Sequence, residues 1–132
     1  MIEHGSFCTS VKQHGPPLGI CPEARVLQFA SYTFDACVME IMSTLMLGGC
    51  VCVPSSKQRM NDLPGAIGSM RVNWAVLTPS VANNIQPEDV PDLKTLMTAG
   101  EAQTPALVST WAKHCRLINA YGEEFKVPRR IG

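Results

Sequence analysis

The carboxylate with the most telling position in this sequence is Asp35, which directly precedes a run with helical spacing. A carboxylate there can cap the helix by accepting from its first free N–H groups. It can equally hold a cation from outside the chain. Three later segments also carry polar or turn-forming side chains: Leu77-Thr78-Pro79, Thr98-Ala99-Gly100-Glu101 and Ala120-Tyr121-Gly122. The thiols and imidazoles offer less. Cys8, Cys21, Cys37, Cys50, Cys52 and Cys115 match no zinc pattern, since Cys50 and Cys52 have no second pair and no nearby histidine. They read as small buried hydrophobes in a reducing cytosol. His4, His14 and His114 are scattered, and neither a catalytic residue nor a metal ligand is assigned.

The elements that would position these groups alternate. Residues 4–15 suit a helix stopped by Gly15-Pro16-Pro17. Arg25 to Phe29 reads as a strand. Val38, Ile41, Met42, Leu45 and Met46 recur at helical spacing over 36–47, with Asp35 at the N-cap and Gly48-Gly49 at the end. Cys50 to Pro54 reads as a buried strand, 60–70 as a weaker helix, and Trp74 to Thr78 as a strand. A polar loop spans 84–92, Leu93 to Met97 is a strand, Thr104-Pro105 opens a helix to about His114, and Arg116 to Asn119 is the last strand. Strands alternating with helices predict an α/β fold with a mostly parallel sheet and helices on both faces. In such sheets ligands gather at the carboxyl ends of the strands, and all four polar segments lie there.

Composition narrows the classes of function. Apolar residues make up 45% and charged residues 17%, enough for a core. Eleven acidic and eleven basic residues balance, which argues against nucleic acid or an anionic membrane as partner. No apolar run reaches bilayer-spanning length, and Met1-Ile2-Glu3-His4 lacks the start of a signal peptide, so a cytoplasmic location is expected.

In this order, the strand-end segments resemble the adenylation domains of non-ribosomal peptide synthetases, fungal members in particular. Phe34-Asp35-Ala36-Cys37 resembles the family's Phe-Asp-x-Ser motif, with Cys37 where Ser is usual. Leu77-Thr78-Pro79-Ser80 is similar to the turn after a central strand, Leu96 to Glu101 to a strand entering a Gly-Glu turn, and Asn119-Ala120-Tyr121-Gly122 to the first half of Asn-x-Tyr-Gly-Pro-Thr-Glu. The resemblance covers 1–122 and implies part of the large N-terminal subdomain of an adenylate-forming enzyme, with 123–132 a divergent tail. It implies a ligase that uses ATP and Mg²⁺ to make an aminoacyl adenylate, releases pyrophosphate, and passes the acyl group to the phosphopantetheine thiol of a carrier protein. Carrier and condensation domains are the implied partners. By the resemblance, Asp35 pairs with the substrate's α-ammonium, and Ala36, Met39, Val76, Met97, Ala99 and Ala120 line the side-chain pocket. Such an uncharged lining would reject a charged side chain, so an apolar or aromatic amino acid is expected. Gly100, Glu101 and Ala102 match the turn beside the adenine, Asn119 an amide on the base edge, and Tyr121 a ring stacked on the base.

The chain also departs from the family. It begins after the point where the phosphate loop is expected, and after Gly122 it reads Glu123-Glu124-Phe125 rather than Pro-Thr-Glu. The Mg²⁺ role is therefore transferred to neither glutamate, and the 132 residues alone are expected to be inactive and poorly soluble. Two other readings remain. One is a non-catalytic remnant of such a synthetase, and the other is a different acyl-adenylating ligase. Asp35 separates the latter from an amino-acid enzyme, because only an amino acid needs a partner for its ammonium.

Overall fold

In the computed structural model, which describes residues 2–120, five short runs pair into one sheet. The strands β1 (Arg25–Leu27), β2 (Cys50–Cys52), β3 (Trp74–Leu77), β4 (Thr95–Ala99) and β5 (Arg116–Ala120) lie in the order β2-β1-β3-β4-β5. Every pairing among the described residues is parallel. Successive side chains along a strand face opposite sides, and the sheet divides its apolar residues accordingly. Leu27, Ala75, Leu77 and Leu96 join one cluster, while Val26, Trp74, Val76, Met97 and Ile118 join another.

Helices cover both faces, as the alternating pattern predicts. On the first face sit Leu63 and Ile67 of α5 (Leu63–Ser69), Ala82 of α6 (Pro79–Ala82), and Leu107 and Trp111 of α7 (Pro105–Trp111). On the second face sit Leu18 of α1 (His4–Leu18) and Met39. Met39 opens a π-helical turn (Met39–Ser43) that joins α2 (Asp35–Val38) to α3 (Thr44–Met46), making one continuous helix. Among the described residues no helix is long and apolar enough to cross a membrane.

Several local expectations are corrected. The first helix runs through Pro16 and Pro17 and ends at Gly19, whose φ of 85° few side chains tolerate. Both prolines are exposed. The terminal carbonyls of this helix find side-chain donors: Arg116 donates to Pro17 O at 2.8 Å, and the Trp74 indole to Leu18 O at 2.8 Å. Long-range bonds thus hold the last turn that proline chemistry alone would end. Gly15 allows the crossing with Leu47, because a Cβ there would collide with that side chain.

Asp35 is the first helical residue of α2, not its N-cap, which is Phe34 with no side-chain cap bond. The single helix expected over 60–70 is two helices, α4 (Ser56–Asn61) and α5. Ser55 and Gln58 form a capping box on the first, and Asp62 accepts from Gly65 N at 3.0 Å to start the second. β4 lies two residues later than Leu93–Met97. Leu93 instead packs under the loop as part of the first cluster. Of the cysteines, only Cys37 and Cys52 are buried. Cys8, Cys21 and Cys115 are half-buried, Cys50 is exposed, and all six are free.

Candidate functional site

The strand order reverses between β1 and β3, since β1 leads to β2 on one side and the chain then returns to build β3, β4 and β5 on the other. The crevice at the carboxyl ends of those two strands is where such sheets place ligands. Asp35 follows β1, and Thr78 follows β3. Asp35 stands exposed in the first turn of its helix, and among the described residues no cation pairs with it.

Five of the six expected lining residues share one apolar cluster, and Met39 joins it from the helix that Asp35 opens. Met39 contributes from the π-helical turn, Val76 from β3, Met97 and Ala99 from β4, and Ala120 from β5. The register explains this: Val76 pairs with Met97, and Ala99 with Ala120. Ala36, half-buried on α2, lies outside the cluster. Met39 and Val76 are each 6% exposed and Met97 is 1% exposed, so these side chains form a floor. Ala99 and Ala120 are half-buried. Trp74, which sequence reasoning did not assign to the site, completes this floor, and its bond to Leu18 O fixes the indole.

The residues expected around adenine divide into two places. Gly100 has φ 84°, and a Cβ there would approach Thr78 Cγ2 at 3.8 Å, so the turn runs close over the end of β3. The Glu101 carboxylate is turned to α6. It accepts from Ser80 N at 3.0 Å and from the Ser80 hydroxyl, bracing the first turn of α6. Those donors and the Thr78 hydroxyl hold its carboxyl below the usual range. Ala102 and Asn119, in contrast, both line an open concavity of about 520 Å³. Gln103, Thr104, Pro105, Val108 and Ser109 complete its wall. The Thr104–Pro105 helix start is visible in the sequence, but nothing in its spacing marks a cavity wall. Asn119 Oδ1 is buried and has no hydrogen-bond partner among the described residues. A buried acceptor left unpaired is costly. Tyr121 lies outside the described residues.

Glu40 is a second feature the sequence did not single out. It is fully buried one residue beyond Met39, and its two carboxylate oxygens accept from Phe29 N at 3.1 Å and from Ala30 N at 3.1 and 3.2 Å. The Gln28 amide lies 3.4 Å from it and in turn accepts from Arg59 at 3.2 Å. Burial pushes the Glu40 carboxyl up to about 7, against the pull of these donors. Among the described residues, no group of three or more His, Cys, Asp or Glu side chains is placed to hold a metal ion.

Residues 1–123 match the family model for AMP-binding enzymes. The chain belongs to the AMP-binding enzyme family. It is 55% identical over 122 residues to nonribosomal peptide synthetase 4 of Gibberella zeae, a match covering 92% of this chain and 2% of that protein. Its fold is that of the Vibrio cholerae adenylation domain AlmE in complex with glycyl-adenosine-5′-phosphate, with a TM-score of 0.74 at 22% identity over 86% of this chain and 23% of the other. It is also similar to holo-PA1221, an NRPS protein containing adenylation and PCP domains bound to a vinylsulfonamide inhibitor. That match has a TM-score of 0.64 at 27% identity and covers 78% of this chain and 19% of the other. The chain thus spans a small part of each protein it matches.

Proposed function

We propose that this chain carries the amino-acid pocket and the adenine platform of an amino-acid-activating ligase of non-ribosomal peptide synthesis. The observation that carries the reading is the placement of Asp35. Asp35 follows β1, one of the two strands that flank the switch point, and the helix it opens carries Met39 into one apolar cluster with Val76, Met97, Ala99 and Ala120, which supports this reading. A carboxylate together with an apolar floor selects a substrate with a cationic head and an uncharged side chain. An apolar or aromatic amino acid meets both requirements.

In the reaction, the amino acid's carboxylate attacks the α-phosphorus of ATP, pyrophosphate leaves, and an aminoacyl adenylate forms. The thiol of a phosphopantetheine arm on a carrier protein then attacks the acyl carbon and AMP leaves. Asp35 would orient the ammonium, and Met39, Val76, Met97, Ala99 and Ala120 would contact the side chain, with Ala36 at the rim. On the nucleotide side, Asn119 and Ala102 line one concavity, where the Asn119 amide would bond the edge of the adenine. Gly100 and Glu101 would shape the turn beside the base, and Tyr121 would stack on it. Mg²⁺ would accompany the ATP phosphates. Carrier and condensation domains are the proposed partners, and the cytoplasm the proposed location.

The test is amino-acid-dependent exchange of pyrophosphate into ATP by the full polypeptide that carries this chain. Exchange with an apolar or aromatic amino acid, lost on Asp35→Ala, is the expected result. Exchange that Asp35→Ala leaves unchanged removes the amino-acid assignment and favours another acyl-adenylating ligase.

A further inference from the structure

Among the described residues the Asp35 side chain has no hydrogen bond or ion pair to fix it, so something else must set its position. It lies between two segments: the exit from β1, residues 28–34, which turns at Ser31–Phe34, and the helix formed by α2, the π-helical turn and α3. The exit segment leaves the sheet after Gln28, whose N–H still bonds Cys52 O at 2.8 Å. From there on, the backbone donors of Phe29 and Ala30 have no strand to pair with, and the Glu40 carboxylate takes both. Glu40 sits in the π-helical turn directly after Met39, which belongs to the pocket floor. One extra residue per turn in that stretch changes which way the following side chains point, and π-turns recur at functional sites.

We propose that Glu40 is a positioning residue for the amino-acid pocket, tying the Phe29–Ala30 backbone to the helix that carries Asp35 and Met39 and so setting where Asp35 meets the substrate's ammonium. This rests on the role given to Asp35 above. The geometry is specific to a carboxylate. Two backbone N–H groups and one amide N–H converge on its oxygens, and all three are donors. A Gln in its place would turn an NH₂ toward at least one of them, whereas an Asp would keep the charge with a shorter reach. Arg59 is the cation facing this group. It touches Gln28 and stacks over the Phe29 ring at 5.8 Å, so the exit segment is held from two sides.

The test compares, in the full polypeptide that carries this chain, the wild type with Glu40→Gln, Glu40→Asp and Asp35→Ala. Each is titrated with three probes: a sulfamoyl analogue of an aminoacyl adenylate, its counterpart lacking the amino group, and adenosine. The readout is the affinity ratio of the first two probes, which isolates the ammonium contact. Hydrogen exchange at the Phe29 and Ala30 amides is followed in parallel.

Glu40→Gln should lower that ratio about tenfold, the scale of one charge-assisted contact, while adenosine affinity stays within about twofold. Glu40→Asp should recover part of the ratio. An unchanged ratio in Glu40→Gln, with exchange at Phe29 and Ala30 accelerated, would overturn the proposal and leave Glu40 as a brace only. If Glu40→Gln does not fold, Glu40→Asp decides, and an unchanged ratio there counts against the proposal. A wild-type chain with no preference for the amino probe, or an Asp35→Ala variant that keeps it, overturns the Asp35 assignment itself.

Discussion

Val76 and Met97 are direct partners across β3 and β4, and both side chains enter the apolar cluster that Met39 joins from the Asp35 helix. Because the pair is in register, a change in volume at one position is felt at the other rather than at the sheet edge. Met97, at 1% exposure, has little room to relax. Met97→Ala should therefore cost about 2–5 kcal/mol of stability by opening a cavity. If the floor faces a substrate side chain, the same variant should bind aminoacyl-adenylate analogues with larger side chains better than the wild type does. Urea denaturation and equilibrium binding read the two effects. A stability loss with no change in ligand preference would make Met97 a core residue only.

Glu40 should make stability depend on pH in a definite direction. Burial raises its carboxyl from 4.5 to about 7 in the folded chain, so the folded state binds the proton more tightly than the unfolded one. Its contribution is present in full below pH 4.5 and is lost as the pH rises toward 7, by about 3 kcal/mol. His14 runs the other way. Burial lowers its pKa, so it adds stability as the pH rises. The quantity to measure is therefore the difference between the wild type and Glu40→Gln in urea midpoint from pH 5 to 8. The wild type should lose ground relative to the variant across that window, and parallel curves would contradict the assignment.

Glu101 should titrate in the opposite sense. Its carboxyl is held below the usual range by the Ser80 hydroxyl and N–H, so the brace on α6 is present above about pH 4.5 and is lost as the pH falls through the lowered value. The Ser80 amide resonance should move with that titration. Glu101→Gln should remove the movement, and persistence of the movement would show that another group is responsible.

Asn119 should give two effects of opposite sign. Its buried, unpaired Oδ1 costs stability, so Asn119→Leu should be neutral or stabilising in thermal melts. The same change should weaken adenosine binding by about tenfold, the value of one neutral hydrogen bond. A destabilised variant with unchanged adenosine affinity would place the base elsewhere.

The helix from Asp35 to Met46 leaves an apolar stripe in solvent. Phe34, Val38, Met42 and Leu45 recur at helical spacing and are 66%, 42%, 47% and 58% exposed. Such a stripe favours self-association. Met42→Lys with Leu45→Glu should reduce light scattering of the chain without lowering its melting temperature. Unchanged scattering would locate the association surface elsewhere.

Much of this arrangement was legible in the sequence, and the reasons differ from element to element. The parallel α/β order followed from alternating periodicities, which depend on local spacing alone. Val76, Met97, Ala99 and Ala120 could be named together because strand-end motifs fix their offset, and the register then brings them to one face. The path of α1 through Pro16 and Pro17 was not legible. It depends on Arg116 and Trp74, which lie far along the chain and supply the donors at its end. Glu101 was placed beside adenine by its motif, yet its side chain answers to Ser80, a contact between the turn after β4 and the first turn of α6. Glu40 was overlooked because a glutamate inside a helix pattern reads as surface. Only the convergence of the Phe29, Ala30 and Gln28 donors shows that it is interior.

The central claim is that Asp35, the apolar floor and Asn119 form one binding surface for an aminoacyl adenylate. Its most direct test is an NMR titration of the full polypeptide that carries this chain with sulfamoyl analogues of aminoacyl adenylates bearing apolar and aromatic side chains. The account predicts saturable shifts at Asp35, Ala36, Ala99, Ala102 and Asn119 together, with at least one analogue. Shifts confined to residues remote from the carboxyl ends of the strands, or none with any analogue, would contradict it.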